Sequence, residues 1–151
     1  MTTVVNGPQG LRGLEGQHLG YTAWREIDQQ QVDLFADATG DHQWIHVDPE
    51  RARTGPFGGT ILHGYMTLSL APVFMSELLK VDGMAFGINY GCNKVRFPSP
   101  VMVGAKLRMG AQVASVEDVA GGVQAIYNLT LETEGSTKPS CVAEVVYRYL
   151  T

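Results

Sequence analysis

The second half of the chain consists of four runs in which apolar and polar residues alternate, and this pattern constrains the fold most. The runs cover residues 85–97, 105–116, 123–132 and 140–150. A period of two is typical of strands that bury one face. Short links rich in glycine, proline and serine join consecutive runs, so we predict an antiparallel sheet. One face of the third run carries only apolar side chains and one tyrosine: Val123, Ala125, Tyr127, Leu129 and Leu131.

The segment before these runs, from about residue 64 to 79, is apolar nearly all round at helical spacing. A helix of that composition is buried. Pro72 lies inside it and should kink or shorten it, because proline has no amide hydrogen and clashes with the preceding turn. We therefore predict a buried central helix that the sheet contacts.

Upstream, residues 21–27 are typical of a short strand, and a helix follows. Asp28 is a candidate N-cap with Gln31 as its capping-box partner, and Gly40 occupies the place of a left-handed C-terminal glycine. A second short helix is expected to begin at Asp48-Pro49, with aspartate as cap and proline at the first helical position.

These elements predict an α+β fold in which an antiparallel sheet wraps around one long central helix. The 151 residues fit a single domain. Residues 1–20 are rich in glycine and show little periodicity, so we expect a loosely structured N-terminal arm that contains at most one short helix.

Composition excludes several classes of protein. The net charge of -4, without a cluster of lysine or arginine, argues against a nucleic-acid partner. Polar residues interrupt the longest apolar region, residues 61–79, so we expect no membrane insertion. Cys92 and Cys141 form no CxxC pair, which argues against structural zinc and a disulfide framework. With no recognisable signal peptide, a reducing, cytoplasmic location is expected.

The densest polar cluster spans residues 40–48, between the first two predicted helices. Asp41 and His46 could form an acid–base pair, since an aspartate beside a histidine fixes its tautomer and raises its basicity. Alternatively, Asp41 binds backbone amides after the helix and His46 is a satisfied core histidine. Spacing alone favours this structural alternative.

A metal site is a weaker interpretation of the polar cluster at residues 40–48. His42 and His46 would face one way if the stretch were helical, with Asp48 or His63 as a third ligand. The glycine before and the proline after the stretch predict an irregular loop instead. We therefore expect no metal.

His63-Gly64 immediately precedes the central helix. Because the first amides of a helix are unpaired, the Gly64 NH is a candidate donor to a polarised carbonyl, although a glycine required only for tight packing is equally consistent. Phe57, Tyr65 and Met66 lie nearby and could line a pocket, but core packing is the simpler role for each.

Three side chains in the first long run, Asn93, Lys94 and Arg96, could reach phosphate groups of a substrate. Solvated strand positions are the simpler interpretation. The glycine-rich residues 54–60 do not match a phosphate-binding loop, because they lack its lysine.

Three segments carry a resemblance to a known family: residues 38–48 (ATGDHQWIHVD), 61–68 (ILHGYMTL) and 93–101 (NKVRFPSPV). The first resembles the hydratase-2 signature, a Gly-Asp pair followed by His-x-Asp. The chain is similar, over nearly all of its length after about residue 20, to MaoC-like (R)-specific enoyl-CoA hydratases. In the middle of the signature the chain has Gln43-Trp44-Ile45. This variant is similar to that of the branch of single-domain mycobacterial (R)-hydratases and nodulation protein N-like proteins.

The resemblance implies a single hot-dog domain that hydrates trans-2-enoyl-CoA or enoyl carrier-protein thioesters to (3R)-hydroxyacyl thioesters, and catalyses the reverse dehydration. It implies that Asp41 and His46 are catalytic and that the Gly64 amide binds the thioester carbonyl. Nearby pocket or supporting roles are expected for four residues: His63, Tyr65, Phe57 and Gln43. No cofactor or metal is implied, and the partner is a second copy in a homodimer whose sheets join edge to edge.

One position departs from the family pattern. Some members carry a serine close to the catalytic aspartate where this chain has Pro72, so the support of Asp41 has to come from elsewhere. Two alternatives remain open: a hot-dog thioesterase, disfavoured because Glu77 is the sole acid in the central helix, and a non-catalytic acyl-thioester binding module.

Overall fold

A computed structural model describes residues 1–151. The chain forms eight strands and five α-helices, with a 3-10 helix at Pro8–Leu14. The strands are β1 (Thr3–Asn6), β2 (His18–Tyr21), β3 (Arg25–Glu26), β4 (Leu79–Asp82), β5 (Phe86–Arg96), β6 (Lys106–Val119), β7 (Gly122–Thr133) and β8 (Cys141–Leu150). The helices are α1 (Gln29–Thr39), α2 (Trp44–Val47), α3 (Pro49–Arg53), α4 (Gly64–Ser69) and α5 (Ala71–Leu78).

The main sheet is antiparallel and has the strand order β2-β6-β7-β8-β5, with β3 also paired to β6. The four predicted runs are confirmed as β5 to β8, with ends that differ by a few residues. The turn between β6 and β7 requires glycine: Gly121 has φ +84°, and a Cβ on Gly122 would lie 1.9 Å from the Tyr149 carbonyl oxygen. The link residues predicted from the sequence therefore set the pairing of the strands.

The predicted apolar face of β7 points into the core. Its members, Val123 to Leu131 at every second position, are at most 2% exposed. They belong to one cluster of 27 buried residues that includes Phe74, Met75 and Leu78 of α5. The sheet thus packs around the central helix, as expected for the hot-dog fold.

The central helix is confirmed, and it is divided close to Pro72, the residue predicted to kink or shorten it. It consists of α4 and α5, which meet at Leu70, whose amide is shared between the carbonyls of Met66 (3.2 Å) and Thr67 (3.3 Å). Pro72 lies in the first turn of α5, where a missing amide hydrogen costs least. The helix ends before Leu79, which begins β4.

The start and end of α1 also follow the prediction. The Asp28 carboxylate accepts from the Gln31 amide, the Gln31 side chain accepts from the Asp28 amide, and Gly40 adopts the left-handed conformation with φ 84°. The polar segment of residues 40–48 therefore begins at a sharply defined point.

The N-terminal arm is not loosely structured, and this prediction was wrong. β1 pairs in parallel with β4, and Leu11 of the 3-10 helix is 0% exposed. The stabilising partners come from distant parts of the chain, so the local glycine content did not reveal them. None of the helices combines the length and the apolar composition that a membrane-spanning helix needs.

The single strand expected over residues 21–27 is instead divided into β2 and β3. Thr22 lies at the break, where its hydroxyl oxygen accepts a hydrogen bond from the Met109 amide at 3.0 Å. The Thr22 amide also donates to the Met109 carbonyl at 2.9 Å, so Thr22 stays joined to β6 between the two strands.

Candidate active site

The segment after α1 is more regular than the irregular loop that its flanking glycine and proline predicted. His46 lies in the single helical turn α2, and its amide donates to the Gln43 carbonyl at 3.0 Å. Asp48 ends this turn and caps α3, accepting from the Arg51 amide at 3.1 Å. This turn points the His46 side chain into the protein.

His46 is buried, with 6% of its surface exposed. Its Nδ1 lies 2.8 Å from the Ile61 carbonyl oxygen, which can only accept, so Nδ1 carries the proton and Nε2 holds the free lone pair. The pKa of His46 is lowered, first because burial disfavours the charged ring and also because His63 lies beside it; the bond to Ile61 opposes this only in part. A neutral imidazole with a free Nε2 is suited to act as a base.

A side chain that sequence reasoning missed holds this turn in place. The Gln29 amide nitrogen donates to the His46 carbonyl at 2.7 Å, and its Oε1 accepts from the Thr60 hydroxyl at 2.7 Å. Gln29 therefore joins the His46 turn to the segment that contains Ile61. Its place in the first turn of α1 resembles that of any solvated glutamine, so the sequence carried no signal for this role.

Asp41 lies at the surface, with 54% of its side chain exposed. Its Oδ1 accepts from the Gln43 amide at 3.3 Å, and its own amide donates to the Thr39 hydroxyl at 3.4 Å. The shortest contact is at its carbonyl, which accepts from His63 Nε2 at 2.9 Å. The carboxylate stays open to solvent while its backbone is held.

His63 lies between the two predicted catalytic residues and is 3% exposed. Its ring stacks on His46 with centroids 3.9 Å apart and planes at 22°, and Phe35 packs against it at 4.9 Å. Its Nδ1 is buried without a hydrogen-bond partner. His63 thus contacts both residues directly, which is the geometry that the expected supporting role requires.

Asp41, His46 and His63 each offer one side-chain ligand atom within 4.8 Å of the others. This set differs from the one considered for a metal, because His42 turns away and binds Asp37 at 2.9 Å, a bond that raises the pKa of His42. His46 Nδ1 and His63 Nε2 each donate to a backbone carbonyl, which leaves one ring nitrogen of each histidine without a partner in the chain.

Gly64 begins α4, and no hydrogen bond within the chain uses its amide. It borders a cavity of about 260 Å³. A Cβ at this position would lie 3.2 Å from the Phe97 ring, so a side chain here would crowd the cavity wall. Ile61 also lines this cavity, which places the open amide and the anchor of His46 on the same short segment.

The other predicted pocket residues have different environments. Phe57 lines the cavity beside Gly64. Tyr65 is 74% exposed and contacts Phe97 edge-on, outside the lining. The side chain of Gln43 is exposed, and the residue contributes its backbone amide to Asp41. Met66 is a core residue.

Three polar residues of β5, Asn93, Lys94 and Arg96, are exposed on a strand at the edge of the sheet. The Arg96 guanidinium donates to the neighbouring Val95 carbonyl at 2.7 Å. No contact brings these side chains to the Asp41–His46 pair.

A family model described as "MaoC like domain" matches residues 12–134. The chain is 54% identical over 141 residues to 3-hydroxyacyl-thioester dehydratase Z of Mycobacterium tuberculosis (strain H37Rv), covering 93% of each chain. It is 46% identical over 132 residues to nodulation protein N of Rhizobium leguminosarum bv. viciae, covering 85% of this chain and 81% of that protein.

Among solved structures, the R-hydratase PhaJ1 from Pseudomonas aeruginosa superposes with a TM-score of 0.75 at 22% identity, covering 95% of this chain and 85% of that one. The (R)-hydratase from A. caviae gives a TM-score of 0.72 at 24% identity, covering 88% and 94%. These two likenesses establish the shared fold. Together with the family model and the two closely similar sequences, they show that this chain belongs to the MaoC-like dehydratase family.

Proposed function

We propose that the protein catalyses the reversible addition of water to trans-2-enoyl thioesters, forming (3R)-hydroxyacyl thioesters. The observation that carries the proposal is the buried His46, whose Nε2 lone pair is free beside Asp41. The names of the similar sequences, a 3-hydroxyacyl-thioester dehydratase among them, support this reaction class. The substrate is an acyl-CoA or an acyl carrier protein thioester.

In the proposed mechanism, the thioester carbonyl accepts a hydrogen bond from the open Gly64 amide, which makes C3 electrophilic. His46 Nε2 removes a proton from a water molecule, and the Asp41 carboxylate accepts that water's other hydrogen and orients it. The oxygen bonds to C3, and the proton returns from His46 to C2 on the same face. Dehydration is the same sequence in reverse.

This mechanism uses only groups of the chain and the substrate, so we propose that no metal or cofactor takes part. Activity should therefore survive dialysis against a chelator. A loss that added divalent cations restore would contradict this part of the proposal.

Hydrolysis of the thioester is the main competing reaction. A hot-dog thioesterase places a free carboxylate beside the central helix, but Glu77 forms an ion pair with Arg25 at 3.1 Å. A carboxylate held in this way is a poor nucleophile or base, so we favour hydration.

We propose that the protein acts as a homodimer joined through β5. This strand has 11 residues and pairs only with β8, leaving its other edge open. Phe86, Ile88 and Tyr90 are 54%, 40% and 57% exposed along it. Long apolar edge strands are usually covered, because they would otherwise promote aggregation.

We place the reaction in the cytoplasm, where the unpaired thiols of Cys92 and Cys141 are stable.

The dimer is testable by sedimentation. Wild-type protein should sediment at twice the mass of one chain, and Ile88→Lys should shift it to the monomer, because a charge would have to be buried in the joined sheet. Leu34→Lys is the matched control, since Leu34 is 61% exposed on α1, away from β5. A wild-type monomer, or equal effects of both substitutions, would contradict joining through β5.

The reaction itself is tested with a series of trans-2-enoyl-CoA substrates of increasing chain length. We expect loss of the enoyl absorbance, formation of the (3R)-hydroxyacyl product on chiral analysis, and no release of free thiol. Release of CoA without hydration would instead establish a thioesterase. Binding without either reaction would establish a non-catalytic module.

A further inference from the structure

His63 is the buried polar residue whose environment the proposed reaction does not yet explain. Its side chain is 3% exposed, too little for contact with a substrate, and its Nδ1 has no hydrogen-bond partner. Buried polar atoms are nearly always paired, so an unpaired one indicates a requirement that outweighs its cost. The requirement has to lie in the other contacts of the ring.

The first contact is with Asp41. Gly40 ends α1, so Asp41 is the first residue of a segment without helical hydrogen bonds. Two bonds of 3.3 and 3.4 Å hold its carboxylate and its amide, and both partners lie within two residues along the chain. The 2.9 Å bond from His63 Nε2 is the one that ties Asp41 to the central helix. It therefore fixes the backbone of Asp41, from which the carboxylate extends, relative to the amide of Gly64, which follows His63 in the chain.

The second contact is with His46. A single hydrogen bond at Nδ1 leaves the imidazole free to tilt about that bond. The face of the His63 ring, 3.9 Å away and nearly parallel, defines the remaining orientation. Phe35 backs His63 from another side and keeps it from moving away.

We propose that His63 is a positioning residue that sets the geometry between Asp41 and His46, by donating from Nε2 to the Asp41 carbonyl and by stacking on the His46 ring. This inference rests on the proposed function of the pair. It also identifies what holds Asp41 in a chain that has Pro72 at the position of the supporting serine.

Two substitutions separate the Nε2 donor from mere polarity. Glutamine carries its amide nitrogen as far from Cβ as His63 Nε2, whereas asparagine reaches only as far as Nδ1. We expect His63→Asn to lower kcat for crotonyl-CoA hydration by about 10²-fold, since a misplacement of about 1 Å can cost that much. His63→Gln should recover about tenfold of this loss, and KM should change less than about twofold in both variants.

A third variant, His63→Phe, keeps a ring against His46 but has no donor, and it provides the donor-free comparison if His63→Asn does not fold. Thermal unfolding identifies the folded variants. The proposal would be overturned if His63→Gln and a folded variant without a donor at the Nε2 position had equal kcat values, whether both values are high or both are low.

A double-substitution cycle gives a second readout that a purely structural role would not produce. If His63 acts partly through Asp41, adding His63→Asn to Asp41→Asn should lower the residual kcat by less than about tenfold, because only the stacking on His46 is then left to lose. An undiminished further loss of about 10²-fold would contradict positioning through Asp41. The proposed function fails separately, if the wild-type protein hydrates none of the trans-2-enoyl-CoA substrates of the chain-length series.

Discussion

Two polar clusters of this protein are both buried, but their polar atoms differ in whether they have hydrogen-bond partners. Tyr127 and Tyr149 share a 2.7 Å hydrogen bond between their hydroxyls inside the sheet. Burial raises the pKa of Tyr149 to about 12 and raises that of Tyr127 further, so both stay neutral at physiological pH. The histidine cluster instead leaves His46 Nε2 free and His63 Nδ1 unpaired.

The difference teaches that burial alone does not mark a functional group. In the tyrosine pair the two hydroxyls satisfy each other and move away from neutral pH, which is what a structural contact needs. At His46 burial lowers the pKa of a group that normally titrates near neutrality, so a neutral base is produced. A functional group is indicated where a buried side chain keeps a polar atom free of hydrogen-bond partners, as His46 does at Nε2.

Outside Asp41 and the two stacked histidines, the largest effect that tests this comparison is expected at Gln29. Gln29→Leu removes the bonds to the His46 carbonyl and the Thr60 hydroxyl, so the His46 turn should loosen and kcat should fall by about 10–10²-fold. Gln30→Leu makes the same change at the next, exposed position of α1. Similar kinetics for the two variants would mean that Gln29 does not hold the site.

A smaller effect of the opposite kind is expected in the tyrosine pair. Tyr127→Phe leaves the buried Tyr149 hydroxyl without its partner, so the free energy of unfolding should fall by about 1–3 kcal/mol. The kcat for crotonyl-CoA should stay within about twofold of wild type. A large loss of activity in a folded variant would show that the pair is more than structural.

The smallest effect concerns pH. Because the pKa of His46 is lowered, the base is unprotonated above it, and kcat/KM should fall only as pH drops below about 6.5. Asp41 and His63 face the ring, the first raising and the second lowering its pKa. A limb above pH 6.5 that disappears in His42→Gln would instead point to His42, whose pKa is raised by Asp37.

The sequence predicted those parts of the fold whose causes are local. The capping residues of α1, Asp28 and Gln31, and its terminal Gly40 act within a few residues, and so does the alternation that defines β5 to β8. The pairing of β1 with β4 was missed, because it joins positions far apart in the chain.

The same distinction applies to the site. Asp41 and His46 are close in sequence and were identified through a motif. The bond from His63 to Asp41 spans 22 positions and that from Gln29 to His46 spans 17, and each depends on how separate elements pack. In the sequence, His63 and Gln29 look the same whether they position a catalytic residue or have an ordinary structural role.

The central claim is that Asp41 and His46 carry out the addition of water. The most direct measurement is kcat/KM for crotonyl-CoA hydration in folded Asp41→Asn and His46→Gln, with His42→Gln as the exposed histidine control. We predict losses of about 10²–10⁴-fold for the first two and a change below about twofold for the control. Near-wild-type hydration by either folded Asp41 or His46 variant would contradict the account.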